Sequence, residues 1–370
     1  MRGAITIRTE LRRDPTVRAI ARSWRGMTGG LARGRDESRR TLLACSGGAD
    51  SCGTALALWA AVSEPRSRFI LAHIVHDLRP REAALADLAS VRELGECLGI
   101  EVISAEVQAR GRSVKNLEAS ARQERYRTLA SIARDRSIRF VATAHHADDQ
   151  LESVLMALVR GAGPAGLAGV AESRRLSDGV RLIRPALGAT RVDLRRICAI
   201  AEWAWREDAT NADVSRVRAR IRSEIAPRLE AIRPGVARRA ARSANLARGA
   251  ARVVREAART LMDRAGTHDG TMWTFARSEL RRAEPIVLGE VLRLVSMNLR
   301  GERGRDRLGN RGIEAWVDAI RAHATDPKRI SIGGIRITIT AQHVRLSRSA
   351  LRSQDRTSDR RQAVTKEIGE

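Results

Sequence analysis

Between Arg40 and about Asn211 the chain alternates short apolar runs with amphipathic stretches, and nothing else in it constrains the fold so tightly. Thr41–Cys45, Arg68–Val75, Glu101–Ala105, Arg139–Ala144 and Arg181–Ile183 read as strands. Thr54–Val62, Glu82–Leu98, Leu117–Asp135 and Asp148–Val159 read as the helices between them. Apolar strands separated by helices specify a parallel sheet with helices on both faces, an α/β fold. Ligands of such sheets bind beyond the carboxyl ends of the strands, where Ser46, His73, His76, His145 and His146 are expected to emerge.

The first of those strand ends carries Ser46-Gly47-Gly48-Ala49-Asp50-Ser51. A strand running through small residues into a helix aims backbone N–H groups and a helix N-terminus at one point, which attracts phosphate. Adjacent glycines let the main chain approach an anion, and the serine hydroxyls add donors. Asp50 supplies a carboxylate that a phosphate site tolerates with a cation present, so the expected occupant is a nucleotide with Mg²⁺. No Gly-Lys-Ser/Thr follows, so this is not a Walker A loop, and the third glycine of the dinucleotide fingerprint is absent.

A second constellation is His145-His146-Ala147-Asp148-Asp149-Gln150-Leu151-Glu152. In a helix that begins near Ala147, Asp149 and Glu152 share a face and can reach one Mg²⁺ or polarise one substrate, while His145 is placed for phosphate contact or acid/base work. Arg160 heads the glycine-rich stretch Gly161–Gly169, which either wraps a ligand or serves as a surface linker. Arg218 and Arg222 lie four apart, suited to gripping a phosphate or to forming a solvated face. Tyr126, the single tyrosine, reads as packing on an amphipathic helix.

A chain of 370 residues exceeds one core, so several domains are expected. Residues 1–38 read as a flexible basic lead-in with a short helix at Thr16–Arg25, and 39–215 as the sheet domain. Residues 216–300, rich in Ala, Arg and Leu, read as a helical domain. Residues 301–349 read as a helix (Ile313–His323) followed by a β-hairpin turning at Gly333-Gly334, and 350–370 as a disordered tail. A net charge of +25 points to a polyanionic partner, though charge alone does not choose RNA over DNA. Four cysteines without a C-x-x-C pair indicate neither a disulfide scaffold nor a zinc site, which fits a reducing cytoplasm. No run of eighteen apolar residues occurs, so no membrane partner is expected.

The hexapeptide Ser46–Ser51 resembles the SGGxDS loop of the PP-loop ATP pyrophosphatases. Several further pieces follow it in consistent order. They are His73–His76 with Leu78-Arg79, Asn116/Glu118/Ala121-Arg122/Arg125-Tyr126, His145–Glu152, Arg160–Gly169, Arg184-Pro185, and Glu207-Asp208 with Asn211. The ordered set resembles the tRNA(Ile)-lysidine synthetases over about Arg40 to Pro227. That resemblance implies a Rossmann-like PP-loop domain followed by helical and small α+β pieces. It also implies ATP-dependent adenylation of the wobble cytidine of a CAU-anticodon isoleucine tRNA, then attack by L-lysine with release of AMP.

By the same resemblance Ser46, Gly47, Gly48, Ala49, Asp50 and Ser51 hold ATP together with His73, His76 and Gly161. Asp50 and Asp149 serve Mg²⁺, Asp149, Glu152 and His145 serve the reaction, and Arg122, Arg160, Arg218 and Arg222 contact tRNA. DNA is not an implied partner, and a homodimer is left open. Asp77, where the family often has glycine, and Ala219, where it often has asparagine, depart from the pattern. A related thiolase using an external sulfur carrier, or a non-catalytic RNA-binding protein on an ATP-binding scaffold, stays as an alternative.

Overall fold

The computed structural model describes residues 4–29, 39–76, 80–107, 117–206, 217–300, 308–322 and 326–349. The chain divides after Arg248 into two compact units. Asp77, Leu78-Arg79, Asn116, Glu207-Asp208, Asn211 and the tail 350–370 lie outside the described residues.

The first unit is built on strands β1 (Thr41–Ala44), β2 (Phe69–His76), β3 (Val102–Val107), β4 (Phe140–Ala142), β5 (Ser173–Ser177) and β6 (Val180–Ile183). They lie in the order β3-β2-β1-β4-β6-β5, parallel except for β5, which runs antiparallel to β6 at the edge. Alternate side chains leave the sheet on opposite faces and enter two separate cores. Leu43, Leu71 and Phe140 pack with helices Ala49–Ala61, Arg81–Leu98 and Arg191–Ile200, while Leu42, Ile70 and Val141 pack with Leu129 and Ala133 of helix Leu117–Asp135. The parallel α/β sheet with helices on both faces is therefore present. β1 has β2 on one side and β4 on the other, so the crossovers diverge there and open a crevice beyond their carboxyl ends.

Helix Ala49–Ala61 starts five residues earlier than its apolar pattern suggests, because Gly53 sits inside the helix as a contact point. A Cβ on Gly53 would stand 2.5 Å from the Leu194 carbonyl oxygen of helix Arg191–Ile200. Gly53→Ala should therefore push two packed helices apart and destabilise the unit by roughly 1–3 kcal/mol, read as a lowered thermal midpoint. An unchanged midpoint would contradict this packing.

Where a flexible lead-in with a short helix at Thr16–Arg25 was expected, the structure has two helices, Ala4–Arg13 and Pro15–Met27. Asp14 caps the second, accepting from the Thr16 and Val17 amides. Val17, Ile20, Ala21 and Trp24 occupy one helical face and join the core under Ala49–Ala61. Arg8 and Arg12 donate to the Ala60 carbonyl, Arg25 to that of Ala61 and Arg8 also to that of Val62. These guanidinium groups satisfy the orphan carbonyls at the end of the helix that begins at the glycine loop.

The second unit begins at Gly249. In the second unit strands β7 (Gly266–His268), β8 (Met272–Ala276), β9 (Lys328–Ile332), β10 (Ile335–Ile339) and β11 (His343–Arg348) form an antiparallel sheet of order β7-β8-β11-β10-β9. The hairpin β9–β10 turns at Gly333 and Gly334, both at positive φ. β7 and β8 fall within residues 216–300, which read as helical from sequence. Phe275 on β8 shares a core with Leu292 and Trp316, so the helical and β parts of this unit are one body.

Candidate active site

Two strand ends meet in the crevice. After β1 the chain turns through Gly47 at φ +85, a conformation open to glycine, and enters helix Ala49–Ala61 at Gly48. The Gly47 carbonyl accepts from the Arg206 amide at 3.1 Å, which ties the loop to a distant segment. Ser51 turns inward, where its hydroxyl accepts from the Ser46 amide (3.1 Å) and donates to the Gly48 carbonyl (2.9 Å). It shapes the loop, whereas Ser46 is exposed on it. No side chain caps the helix, so the amides of its first turn and the dipole face the crevice. His73 lies beneath, buried, with its Nδ1 2.9 Å from the Cys45 carbonyl, supporting the strand end. His76 ends β2, and its side chain lies outside the described residues.

After β4 the helix Ala147–Val159 begins with a reciprocal cap, the Asp149 carboxylate accepting from the His146 amide at 3.0 Å. His146 is the centre of the site; the sequence places it at a strand end but assigns it no chemical role. Its Nε2 lies 3.3 Å from Asp50 Oδ2 and 3.6 Å from Asp149 Oδ2, and its Nδ1 lies 3.2 Å from Asp148 Oδ2. Burial opposes the imidazolium, but the Asp148, Asp50 and Asp149 carboxylates outweigh it and push the pKa up to about 10. A cation thus bridges the two motifs. For Asp148 burial acts upward, but His146 and the Arg191 amide hold its pKa down at about 2.

The neighbouring His145 has the opposite character. Burial and the Arg184, Arg122 and Arg218 guanidinium groups push its pKa down to about 3 against the pull of Asp149, so it is neutral. Arg122 approaches His145 Nε2 at 3.0 Å and can only donate, which puts the ring proton on Nδ1, facing Thr143 Oγ1 at 2.9 Å. In this arrangement His145 accepts from Arg122 and donates to Thr143.

Arg218 and Arg222, partly exposed, turn their guanidinium groups towards the second motif. They stand where a short π-helical turn (Ile221–Ile225) interrupts the helical run that begins at Val217, and they hold the carboxylates of the second motif. Arg222 donates to both Glu152 oxygens (2.6 and 3.1 Å), and Arg218 donates to Glu152 (2.7 Å) and Asp149 (3.1 Å). A buried carboxylate requires such partners, and Glu152 is 1 % exposed. Arg160 and Gly161 end the helix Ala147–Val159 in exposed positions, away from these contacts.

Asp50 Oδ1 is buried and without a hydrogen-bond partner. That is the one feature of the site that fits Mg²⁺, which takes one or two carboxylates and completes its shell with water and substrate phosphates. Asp149 fits less well, because its oxygens accept from Arg218 and the His146 amide. Among the described residues no group of three or more His, Cys, Asp or Glu side chains is arranged to hold a metal by itself. No helix among them is long and apolar enough to cross a membrane.

The family described as a PP-loop domain matches residues 23–229. The chain is 39 % identical over 231 residues to a tRNA(Ile)-lysidine synthase of Bordetella parapertussis, an alignment covering 60 % of this chain and 65 % of the relative, just under two thirds of its length. It is 36 % identical over 298 residues to a protein of that name from a Methylobacterium species, covering 79 % of this chain and 84 % of the relative. Against a namesake from Salinispora arenicola it is 32 % identical over 328 residues, covering 87 % and 94 %.

Proposed function

Because the chain belongs to the tRNA(Ile)-lysidine synthase family of PP-loop proteins, we propose that it joins L-lysine to the wobble cytidine of a CAU-anticodon isoleucine tRNA at the expense of ATP. The observation that carries this reading is the meeting of Asp50, at the end of the phosphate loop, with Asp149 through the His146 imidazolium. A phosphate cradle alone binds a nucleotide. Joined to two carboxylates one strand away, it can also hold an amine against the group that the nucleotide activates.

The amides of Gly48–Ser51 would hold the phosphates of ATP, and Asp50 would hold Mg²⁺, which would supply charge neutralisation. The loop then holds the α-phosphorus towards the cytidine 2-carbonyl oxygen. That oxygen becomes adenylated, pyrophosphate departs, and a poor leaving group is converted into AMP. Asp149 and Glu152 receive the lysine ammonium by exchange with Arg218, whose side chain is 42 % exposed and free to swing out. One carboxylate takes the proton that the amine loses as it attacks C2.

The deciding assay incubates the protein with ATP, labelled lysine and the CAU-anticodon transcript. Lysine incorporation with one AMP formed per lysine is expected. AMP formation without lysine transfer would overturn the choice of amine and favour a thiolase-type reaction.

A further inference from the structure

A group of arginines beside the carboxylate site pairs with no carboxylate among the described residues. Two guanidinium groups approach the Tyr126 ring, those of Arg122 at 5.1 Å and Arg174 at 4.9 Å from its centroid. Arg125 on the same helix and Arg184 just after β6 complete the set. Arg184 is 4 % exposed, its Nε is buried without a hydrogen-bond partner, its Nη1 donates to the Ala171 carbonyl, and its side chain also bonds Tyr126. None of the four forms an ion pair with a carboxylate among the described residues, whereas the buried acids Glu152, Asp193 and Glu290 are each paired with arginine.

Burial, and then the Arg122 guanidinium, pushes Arg125 below the ordinary arginine value; burial, with Arg174 and Arg122, does the same to Arg184. Such a cluster is short of negative charge. A tetrahedral oxyanion suits it, since planar guanidinium forks bind phosphate oxygens two at a time. Phosphate could come from the nucleotide or from an RNA backbone, and position separates the two. The nucleotide loop follows β1, whereas Arg174 stands on β5, three strands away, roughly 14 Å at about 4.8 Å per strand. The cluster borders the reaction site through Arg122, which holds His145, itself close to Asp149.

We propose that Arg122, Arg125, Arg174 and Arg184 form an anion subsite that takes one backbone phosphate of the RNA strand beside the nucleotide presented to Asp149 and Glu152. This deepens the reading of the protein as an RNA-modifying enzyme and rests on it. The phosphate would fix the strand, and the Tyr126 ring, within cation–π distance of both Arg122 and Arg174, would position their guanidinium groups.

The test uses the full chain, ATP and the CAU-anticodon transcript. Arg174 is exposed and donates only a long bond to a neighbouring carbonyl, so Arg174→Ala leaves the fold intact. Expected are an RNA affinity three- to tenfold weaker and a plot of log K against log salt shallower by about 0.7, the loss of one single-strand phosphate contact. The KM for ATP should stay unchanged, and Arg174→Lys should restore the slope. An unchanged slope in both Arg174→Ala and Arg125→Ala would overturn the subsite, as would a raised KM for ATP at constant slope, which moves the anion to the nucleotide. A shallower slope in a protein that transfers no lysine would leave the subsite standing and remove the reaction assigned above.

Discussion

Asp50→Ala should lower ATP turnover by about 10²–10³-fold while leaving RNA affinity equal or slightly higher. The asymmetry follows from where the charge sits. Asp50 lies in the first turn of the helix that points at the proposed phosphates, with Oδ1 unpartnered and Oδ2 on His146. A bare carboxylate beside a triphosphate is repulsive, so its presence makes sense with a divalent cation between the two. Removing it takes away the cation's protein ligand and costs activity. The same change deletes a negative charge near a polyanion, which cannot weaken RNA binding electrostatically. Asp50→Asn, close in volume, separates loss of charge from loss of packing. Turnover assays with filter binding on both variants decide the matter, and near-normal turnover in either would remove Asp50 from the metal site.

The strand and helix pattern of the sheet unit was legible because it is local. Apolar runs ending in small residues, and helices with apolar faces, announce themselves within ten residues. What escaped was of three kinds. Strand β5, Ser173-Arg-Arg-Leu-Ser, is an edge strand with exposed arginines and no apolar run. Helix Arg191–Ile200 was signalled by the reciprocal cap of Thr190 and Asp193, a pattern that went unread between glycine and the arginines.

The third kind is pairing at a distance. Arg222 finds Glu152 across 70 residues, and no spacing rule reports a partner so remote. The adjacent histidines make the same point. His145 and His146 are alike in sequence, and the fold alone puts one among arginines and the other among aspartates, which drives their pKa values to about 3 and about 10.

Glu152→Gln is the second substitution with a large expected effect. The carboxylate accepts three bonds from Arg218 and Arg222, and its side chain is 2 % exposed against 42 % and 32 % for the arginines. The amide turns an N–H group towards guanidinium donors and leaves Arg222 with the Asp149 carboxylate at 3.9 Å, while Arg218 keeps its bond to Asp149 at 3.1 Å. Breaking a fully buried pair costs roughly 3–5 kcal/mol, and water reaching the arginines places this loss at the lower end, about 3 kcal/mol. For a domain of this size that lowers the thermal midpoint by about 6–12 °C. Lysine transfer should fall by at least about 10²-fold, since the ammonium loses an anionic seat.

Stability and activity come apart in the double variant Glu152→Gln with Arg222→Met. Replacing the stranded cation by an apolar side chain of similar length should recover most of the thermal midpoint without recovering transfer. If the double variant regains transfer along with stability, Glu152 is only the arginines' counter-ion, and Asp149 alone receives the amine.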